Sequence, residues 1–517
     1  MFILEQIDAF FANIVPIGDF LWIFPMNFEW YANIPILGQI PFAIFLLVGM
    51  GFYFTFKMKG VQFRYFKAGI QTLTRKKKGN VGVSQLAAFM LSTAERVGPG
   101  NIIGVTGAIS LGGPGALFWM WVSATVGMAS SFVESTLSQI FKQRDGDDYV
   151  GGLPFYGERI FNNKKWVGSF LSVMFIAYAM LCIPIQTFHV FTATGTAASI
   201  VAGVTVKTQS VLYYAIAVLV IVGIAATIFG GIKRVTRITD FMVPIMAVIY
   251  GVIVIVIVII NIGKVPAFLY AVVAGAFNPE SIFGGSFGIV LSQGIKRGLL
   301  SNEAGQGTVT MAAAISEANH PCEQGFIQSI GVFLDTIIIC TMSGFIVGAA
   351  KIWNNSSYDF ITLKDSKIDL YLTSLKEMIP GAAMDSCISV IICICYALFA
   401  FTSLLGLISF AIVAGTKISK SKKYINTVRI LGAFVFVPIG TLCVLAGLQL
   451  DNIWYVSDLL NIVLVFANAP ILFYGSKYVV RALKNYADGN GERFVSSEIG
   501  VESDIWTYEE RERMKDL

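Results

Sequence analysis

Charged residues are scarce in this sequence, and the shortage indicates its class. Lysine, arginine, aspartate and glutamate make up 13% of the 517 residues, whereas hydrophobic residues make up 56%. A soluble domain carries about 25% charged residues, and the mean hydropathy here is +0.72. The composition therefore excludes an ordinary soluble protein and indicates a polytopic membrane protein.

Groups that often carry enzymatic chemistry are also few. The sequence has two histidines, His189 and His320, and no cluster of histidine, cysteine and glutamate has the spacing of a zinc site. Cys393 and Cys395 have neither metal-knuckle nor redox spacing, and no nucleophile has an obvious base nearby in the chain. We therefore expect no enzymatic activity and no cofactor.

A cleavable signal is missing as well. The first 30 residues lack a basic segment, and Asp8 and Asp19 interrupt their apolar runs. Residues 1–36 are instead amphipathic and rich in aromatic side chains. This pattern predicts an N-terminal segment that lies at the membrane interface.

Long apolar runs are what the sequence has in abundance. A helix needs about 18 apolar residues or more to cross a hydrocarbon core of ~30 Å. Eleven segments reach that length, near residues 37–57, 85–111, 114–141, 166–200, 209–230, 240–262, 283–314, 324–350, 382–414, 427–448 and 455–476. The sequence therefore predicts an all-α polytopic membrane protein with about eleven transmembrane helices in a lipid bilayer.

The lysines and arginines indicate how these helices are oriented. Of the 37, 27 lie in alternate loops and the tail, on one side of the bilayer, and six lie in the opposite loops. Because basic residues concentrate on the cytoplasmic side, the N-terminus is predicted outside and the C-terminus in the cytoplasm. The same bias accounts for the net charge of +5 without a nucleic-acid partner. Residues 477–517 are predicted to form a solvated cytoplasmic tail, because their charges are mixed.

The second apolar segment contains a predicted helix break. Two glycines, Gly98 and Gly100, flank Pro99, and such a run cannot sustain a regular helix. Inside a bilayer the freed backbone groups are tolerated only where protein, water or an ion satisfies them. A break at this depth therefore indicates a binding site.

The seventh apolar segment repeats the pattern. The spacing R-x4-N-x2-G that begins at Arg96 recurs 201 residues later, beginning at Arg297. The two segments enter the predicted membrane from opposite sides, so the repeats are antiparallel. Interrupted helices at matching positions of two inverted halves mark the binding site of a secondary transporter. We therefore predict two five-helix repeats, residues 85–262 and 283–476.

Several stretches resemble a known transporter family. The decapeptide from Gly112 to Trp121 is similar to the signature of the alanine or glycine:cation symporter family, the sodium:alanine symporters. The resemblance continues in collinear order over roughly residues 37–480, through the segments that begin at Arg96, Gly230, Arg297, Asp335 and Phe399.

This resemblance implies both a fold and a function. The family has the leucine-transporter fold, with ten core helices in a five-plus-five inverted repeat and broken core helices one and six. Residues 37–57 are then the extra helix in front of the core. The family couples a sodium gradient to the uptake of small neutral amino acids, so a sodium ion and an amino acid are the expected partners. The sequence indicates no oligomeric state.

The sequence also departs from the family at two positions near the expected site. Pro99 stands where the family usually has threonine or serine, which removes a hydroxyl near the ion or substrate. Leu407 stands where the family commonly has a tryptophan that helps to wall the pocket. The expected substrate is therefore a neutral amino acid that is alanine- or glycine-like or somewhat larger.

The resemblance also implies a set of sodium ligands. In this fold a sodium ion lies between carbonyls of the first broken helix, here Val97 and Gly98, and a hydroxyl pair that matches Thr402 and Ser403. Asp335 is a further candidate, because sodium prefers oxygen ligands and the matching helix donates an ion ligand in some relatives of the fold. The alternative is that the hydroxyls bond to their own helix and that Asp335 is structural.

The substrate is expected at the start of the second half-helix. A carboxylate there could accept hydrogen bonds from the amides of Gly100, Asn101 and Ile102, where the helix dipole is positive. The remaining candidates for the substrate site are Gly98, Gln186, Asn302, Gly305 and Leu407. The alternative role of the two asparagines is hydrogen bonding between helices.

Charged residues inside the predicted membrane are candidates for function by default. Arg96, Arg297 and Glu134 are interpreted as gating or ion-pair residues. Proton coupling, with Glu134, Asp335 or His189 as the carrier, is the alternative to sodium coupling. A channel is less favoured, because the charges cluster near two breaks instead of following one helix face.

Overall fold

The computed structural model of the chain describes residues 12–34, 37–75, 81–277, 287–351, 367–446, 451–489, 493–503 and 505–515, together with residues 6, 9, 77 and 79. Some predicted features lie outside these residues. They are most of 1–11 in the interfacial segment, 283–286 of the seventh predicted span, 447–448 of the tenth, the loop residue Lys364 and the last two residues of the tail.

The described chain is mainly helical. Its helices are α1 (Val15–Ile23), α2 (Glu29–Ala32), α3 (Phe42–Lys57), α4 (Val61–Arg64), α5 (Phe66–Leu73), α6 (Gln85–Arg96), α7 (Ile103–Gly112), α8 (Gly115–Ile140), α9 (Leu153–Ile160), α10 (Lys165–Ala202), α11 (Val211–Ile228), α12 (Ile232–Ile260), α13 (Val265–Ala276), α14 (Phe287–Asn302), α15 (Thr310–Ile315), α16 (Pro321–Ala350), α17 (Lys367–Met378), α18 (Ala382–Gly415), α19 (Lys422–Leu445), α20 (Asp451–Asp488) and α21 (Tyr508–Lys515). One antiparallel hairpin, β1 (Gln143–Asp145) with β2 (Asp148–Val150), pairs Gln143 with Val150.

Eight of the described helices are long and apolar enough to cross a membrane, namely α8, α10, α11, α12, α16, α18, α19 and α20. The predicted class, an all-α polytopic membrane protein, is confirmed. The count of eleven spans stays a prediction for two reasons. The first predicted span is the 16-residue α3, and the second and seventh are each divided into two shorter helices.

The first break lies where the sequence predicts it. Helix α6 ends at Arg96 and α7 begins at Ile103. Pro99 lacks the N–H that would continue the helix, and its ring would clash with the preceding turn. With 12 and 10 residues, each half-helix is about 15–18 Å long, too short to cross the bilayer alone. We call residues 97–102 the first break.

The second break separates α14 from α15. Three residues between them, Glu303, Gly305 and Gly307, have positive φ angles of 56°, 84° and 80°. A side chain rarely adopts this left-handed conformation, so Glu303 is held there by its surroundings. We call residues 303–309 the second break.

Small residues bring the second break against α8. A Cβ atom on Gly294 would collide with the Ala116 carbonyl of α8, and one on Gly127 of α8 would lie 3.1 Å from the Ala304 Cβ. Helix α14 therefore lies directly on α8. On the other side of the core, α10 and α18 pack along each other over most of their length.

The C-terminal tail packs against the protein, which contradicts its prediction as a solvated tail. Trp506 is fully buried, and its indole N–H donates to the Gln139 carbonyl at the end of α8 over 2.8 Å. The Phe494 amide donates to the Asn319 carbonyl over 2.9 Å. Lys142 adds a cation–π contact to Trp506 at 4.8 Å. A few apolar side chains in a polar segment are enough to hold it against the helical core.

Candidate functional site

A cavity lies between the two breaks, and residues of both breaks line it. Its volume is about 110 Å³, room for several water molecules or a small ligand, since one water needs about 10–15 Å³. The first break contributes Gly98, Pro99 and Gly100 to the wall. The helices on either side of this break contribute Glu95 and Arg96 of α6 and Ile103 and Gly104 of α7. The side of α14 and the second break contribute Arg297, Leu300, Ser301 and Glu303. Further residues come from α10 and α20, namely Tyr178, Cys182, Ile185, Gln186, His189, Ser457, Asp458 and Asn461. We call this space the central cavity.

Two of the acidic side chains around the central cavity, Asp458 and Glu303, have partners. Asp458 accepts an ion pair from Lys296 of α14 over 2.9 Å, and Trp22 of α1 donates to the Asp458 backbone carbonyl. Glu303 accepts a hydrogen bond from the Thr308 hydroxyl over 2.8 Å. These contacts join α1, α14 and α20 beside the cavity.

Arg96, also in the cavity wall, is a buried junction between four helices. Its guanidinium donates to the Asn302 carbonyl over 2.9 Å, to the Gln328 side chain over 2.7 Å and to the Ser131 hydroxyl over 3.0 Å. The three acceptors are neutral, so the ion pair suggested for Arg96 is not formed with these groups. Its contacts hold α6, α8, α14 and α16 together at the breaks.

Glu134 lies under the second break. Its carboxylate is fully buried and accepts hydrogen bonds from the amides of Gly305 and Gly307 and from the side chain of Asn468, at 3.2, 3.0 and 3.1 Å. The unwound backbone exposes these amides, and a carboxylate is the acceptor that satisfies them best. Glu134 therefore fixes the second break through backbone amides, and no basic side chain is among these partners.

Asp335 forms a polar group with Asn101 of the first break, with Ser301 in the last turn of α14 and with its neighbour Thr336. Its carboxylate accepts from the Asn101 side chain over 2.6 Å, from Ser301 over 2.9 Å and from Thr336 over 2.7 Å. All four side chains are buried. Asp335 lies in a π-helical stretch of α16, Phe333–Cys340, and such stretches are frequent at functional sites. The set of carboxylate, hydroxyl and amide oxygens is of the kind that sodium prefers.

The two hydroxyls of α18 that are predicted to bind sodium, Ser403 and Thr402, differ in their contacts. The Ser403 hydroxyl donates to the Ala94 carbonyl over 3.0 Å, and a Cβ on Gly98 would lie 3.0 Å from it. Ser403 is therefore beside the end of α6 and Gly98, although its hydroxyl also lies 3.1 Å from the Phe399 carbonyl of its own helix. The Thr402 hydroxyl donates to that same carbonyl over 3.0 Å.

Three of the eight predicted substrate residues line the central cavity, and five do not. Gly98, Gly100 and Gln186 line the central cavity, and the Gly100 backbone is exposed with open space where a side chain would be. The Gln186 side-chain oxygen has no hydrogen-bond partner among the described residues. His189 also lines the cavity, and its ring is within 2.7 Å of the Tyr396 hydroxyl.

The other five candidates do not line the central cavity. The amides of Asn101 and Ile102 donate to the Gly98 and Pro99 carbonyls, so they are not free for a ligand. The remaining three have other contacts: Asn302 donates to Thr336, Gly305 to Glu134, and Leu407 is buried in the hydrophobic core. Direct contact of these five residues with a substrate therefore stays a prediction, because their polar groups bond within the protein here and Leu407 packs in the core.

Sequence reasoning missed the wall of the central cavity that α20 provides. Ser457, Asp458 and Asn461 are three polar residues in the last apolar segment. A charge inside an apolar segment is a usable signal, and Asp458 could have been found by it. Tyr178 and Cys182, on α10, gave no comparable signal, because aromatic and thiol side chains are ordinary in a membrane helix.

Two half-helices that meet at a polar cavity inside a helical membrane bundle define a secondary transporter. Comparison with known proteins gives the family. Residues 29–497 match the sodium:alanine symporter family, and the chain belongs to it.

Several known proteins are similar to the chain. The chain is 36% identical to the amino-acid carrier protein AlsT of Bacillus subtilis over 93% of each chain. It is 34% identical to the probable sodium/glutamine symporter GlnT of the same organism, over 86% of this chain and 87% of that one. It is 29% identical to the sodium/proton-dependent alanine carrier of Bacillus sp. strain PS3, over 84% and 96%. The structure of MhsT with L-phenylalanine matches with a TM-score of 0.45 at 14% identity, over 77% of this chain and 100% of that one. The protein is an integral membrane transporter that moves amino acids by symport, and not an enzyme.

Proposed function

We propose that the protein couples the inward movement of a sodium ion to the uptake of a neutral amino acid, alanine- or glycine-like or somewhat larger. The observation that carries this proposal is the central cavity, whose wall includes Gly98, Pro99 and Gly100 of the first break and Glu303 of the second. Secondary transporters bind substrate between two such broken helices, near the middle of the bilayer. The family match and the sodium-linked names of two relatives support the same assignment.

Two places offer oxygen ligands to the coupling ion. One is the group around Asp335, with Asn101, Ser301 and Thr336. The other is the end of α6, where the Ser403 hydroxyl approaches the Ala94 carbonyl and Gly98. A neutral amino acid carries no net charge, so the membrane potential acts on the ion, at about 2.3 kcal/mol per unit charge and 100 mV.

The mechanism we propose is alternating access in a leucine-transporter arrangement. The broken helices, with α8 and α16, form one body that is held together by Arg96, Glu134 and Asp335. This body rocks against a scaffold that includes α10, α11, α18 and α19. The ion pair between Lys296 and Asp458 joins α14 to α20 beside the cavity, so it would separate when the cavity opens on that side.

Uptake into proteoliposomes tests the proposal. The purified protein is reconstituted, and the uptake of a panel of radiolabelled neutral amino acids is measured under an inward sodium gradient, an inward proton gradient or neither. We expect accumulation of at least one neutral amino acid that requires the sodium gradient. Uptake that ignores sodium would contradict the coupling ion, and no uptake of any amino acid would contradict the substrate class.

Proton coupling is the second candidate. It is favoured by the fully buried carboxylates of Glu134 and Asp335 and by the name of the Bacillus sp. relative, which includes both ions. In the same assay, uptake that is driven by an inward proton gradient in sodium-free buffer would establish it.

A further inference from the structure

Two charged side chains of the central cavity have no partner, and their charges are opposite. Glu95 is 9% exposed, and its carboxylate makes no hydrogen bond or ion pair with another described residue. The buried Nε of Arg297 likewise has no acceptor in the described part of the chain. The other charged groups of the wall have the partners given above. An unpaired buried charge is costly, so the buried Glu95 carboxylate favours a cationic ligand, and the half-buried Arg297, with its buried Nε unbonded, is available to an anionic one.

The Glu95 carboxylate packs against a glycine of α18. A Cβ on Gly406 of α18 would lie 2.6 Å from the carboxylate oxygen of Glu95, so only glycine leaves room for the side chain in this position. Glu95 is also in the last turn of α6, where the helix dipole adds negative potential. This end of the cavity therefore favours a cationic group.

The opposite charge comes from α14 and the start of α7. Arg297 lines the cavity, and so does the exposed backbone of Gly100, one turn before the 10-residue helix α7. The helix dipole is positive there, and a guanidinium matches a carboxylate with two parallel hydrogen bonds. The cavity therefore has a negative pole at Glu95 and a positive pole that Arg297 supplies.

We propose that Glu95 receives the ammonium group, and Arg297 the carboxylate, of a zwitterionic α-amino acid. This inference rests on the proposed function and deepens it, because it assigns one residue to each end of the substrate backbone. It also requires a free α-ammonium and a free α-carboxylate in every transported substrate. The side chain of the substrate makes no contribution to this requirement.

The test uses substrate analogues that lack one charge each. For alanine these are lactate, which lacks the ammonium group, and alaninamide, which lacks the carboxylate; the corresponding pair is used for another amino acid if the panel selects one. Competition with radiolabelled amino-acid uptake is measured for the wild type, Glu95→Gln and Arg297→Gln in proteoliposomes. The wild type is expected to reject both analogues.

Each variant is expected to change selectivity in its own direction. Glu95→Gln raises the KM for the amino acid by about 10- to 100-fold, the equivalent of one charge-assisted hydrogen bond. Glu95→Gln also reduces the preference for the amino acid over lactate, and the preference over alaninamide stays unchanged. Arg297→Gln reduces the preference over alaninamide, and the preference over lactate stays unchanged. A merely structural role would not separate the two analogues in this way.

Further variants keep the test decisive. Gly406→Ala retains the Glu95 carboxylate but displaces it, so it should weaken the preference over lactate even if Glu95→Gln does not fold. Glu95→Asp should restore part of that preference, and Glu509→Gln, on the exposed surface, should change nothing.

Two results would overturn the inference. One is unchanged analogue selectivity in Glu95→Gln and Gly406→Ala; the other is a change confined to the sodium dependence, which would assign Glu95 to the ion. If the wild type takes up no amino acid at all, the proposed function fails as well, so the two failures are distinguishable.

Discussion

At the scale of single residues, the buried acids differ in the groups that surround them. Glu134 accepts three hydrogen bonds from two amides and an asparagine, and Asp335 is enclosed by hydroxyls and an amide. Glu95 has no hydrogen-bond partner among the described residues. A satisfied carboxylate can hold the structure, whereas an unsatisfied one in a cavity wall is available to a ligand. Ser403 and Thr402 differ in another way: both hydroxyls donate to the Phe399 carbonyl of their own helix, but Ser403 also donates to the Ala94 carbonyl of α6.

We predict that Ser403→Ala affects sodium binding more than Thr402→Val. The Ser403 hydroxyl is beside the end of α6, whereas the Thr402 hydroxyl bonds to its own helix. Loss of one hydroxyl ligand should raise the sodium concentration for half-maximal uptake by about 2- to 10-fold in Ser403→Ala, which corresponds to 0.5–1.5 kcal/mol. Thr402→Val should change it by less. Sodium titration of uptake in proteoliposomes checks this, and equal effects of the two variants would argue against the assignment.

At the scale of elements, the two breaks and the C-terminal tail are held in place by contacts with other helices. The second break is held by side chains from two other helices, Arg96 at the Asn302 carbonyl just before it and Glu134 at the Gly305 amide within it. The tail is fixed by Trp506 and Phe494 to the ends of α8 and α15. The end of α8 and the connection before α16 are thus in contact with Trp506 and Phe494 of the tail.

We predict that Trp506→Ala destabilises the protein by roughly 3–5 kcal/mol, the range for deleting a large buried aromatic side chain. The tail should also become sensitive to protease. Thermal unfolding in detergent and limited proteolysis measure the two effects. Trp166→Ala is the matched control, because Trp166 is 66% exposed and Trp506 is fully buried. A tail that stays protected in Trp506→Ala would show that other contacts are sufficient.

The attachment of the tail should also depend on pH. Burial lowers the pKa of the His320 imidazole from 6.5 to about 3, and the ring lies against Phe494 and Tyr486. Between these two values the unfolded chain binds a proton that the folded chain excludes, so stability falls as the pH is lowered below 6.5. Above pH 6.5 the effect is absent.

The variant His320→Asn isolates this contribution. His320 caps α16 by accepting from the Cys322 amide, and asparagine keeps an acceptor there without titrating. We expect the loss of melting temperature between pH 7.5 and pH 5 to be smaller in His320→Asn than in the wild type. An identical pH dependence of the two proteins would exclude His320 as the titrating group.

At the scale of the whole molecule, the orientation in the membrane follows from charge. We predict that a cysteine at Val204 is labelled from outside intact cells and one at Asn163 is not, because the basic residues of loop 142–165 predict that it is cytoplasmic. Both positions are exposed. A membrane-impermeant thiol reagent measures labelling, in a background with the exposed Cys387 replaced by serine. Permeabilised cells are the control, and the reverse pattern of labelling would invert the topology.

The sequence by itself determined the membrane class, the family and the position of the breaks. These depend on composition and on local backbone chemistry: apolar length decides which helices can span a bilayer, and Pro99 with its glycines interrupts a helix wherever it is placed. The repeat from Arg96 to Arg297 indicated that two such interruptions belong together.

Only the tertiary structure decided which polar side chains meet at the breaks. Sequence position does not distinguish Ser403 from Thr402, or predict that Gly406 makes room for Glu95, because these depend on how α18 is rotated against α6. The same holds for Trp506, whose burial requires the surface at the end of α8. Helix packing decides which side chains hundreds of residues apart come into contact. The residue pattern along one helix indicates only which of its faces is apolar.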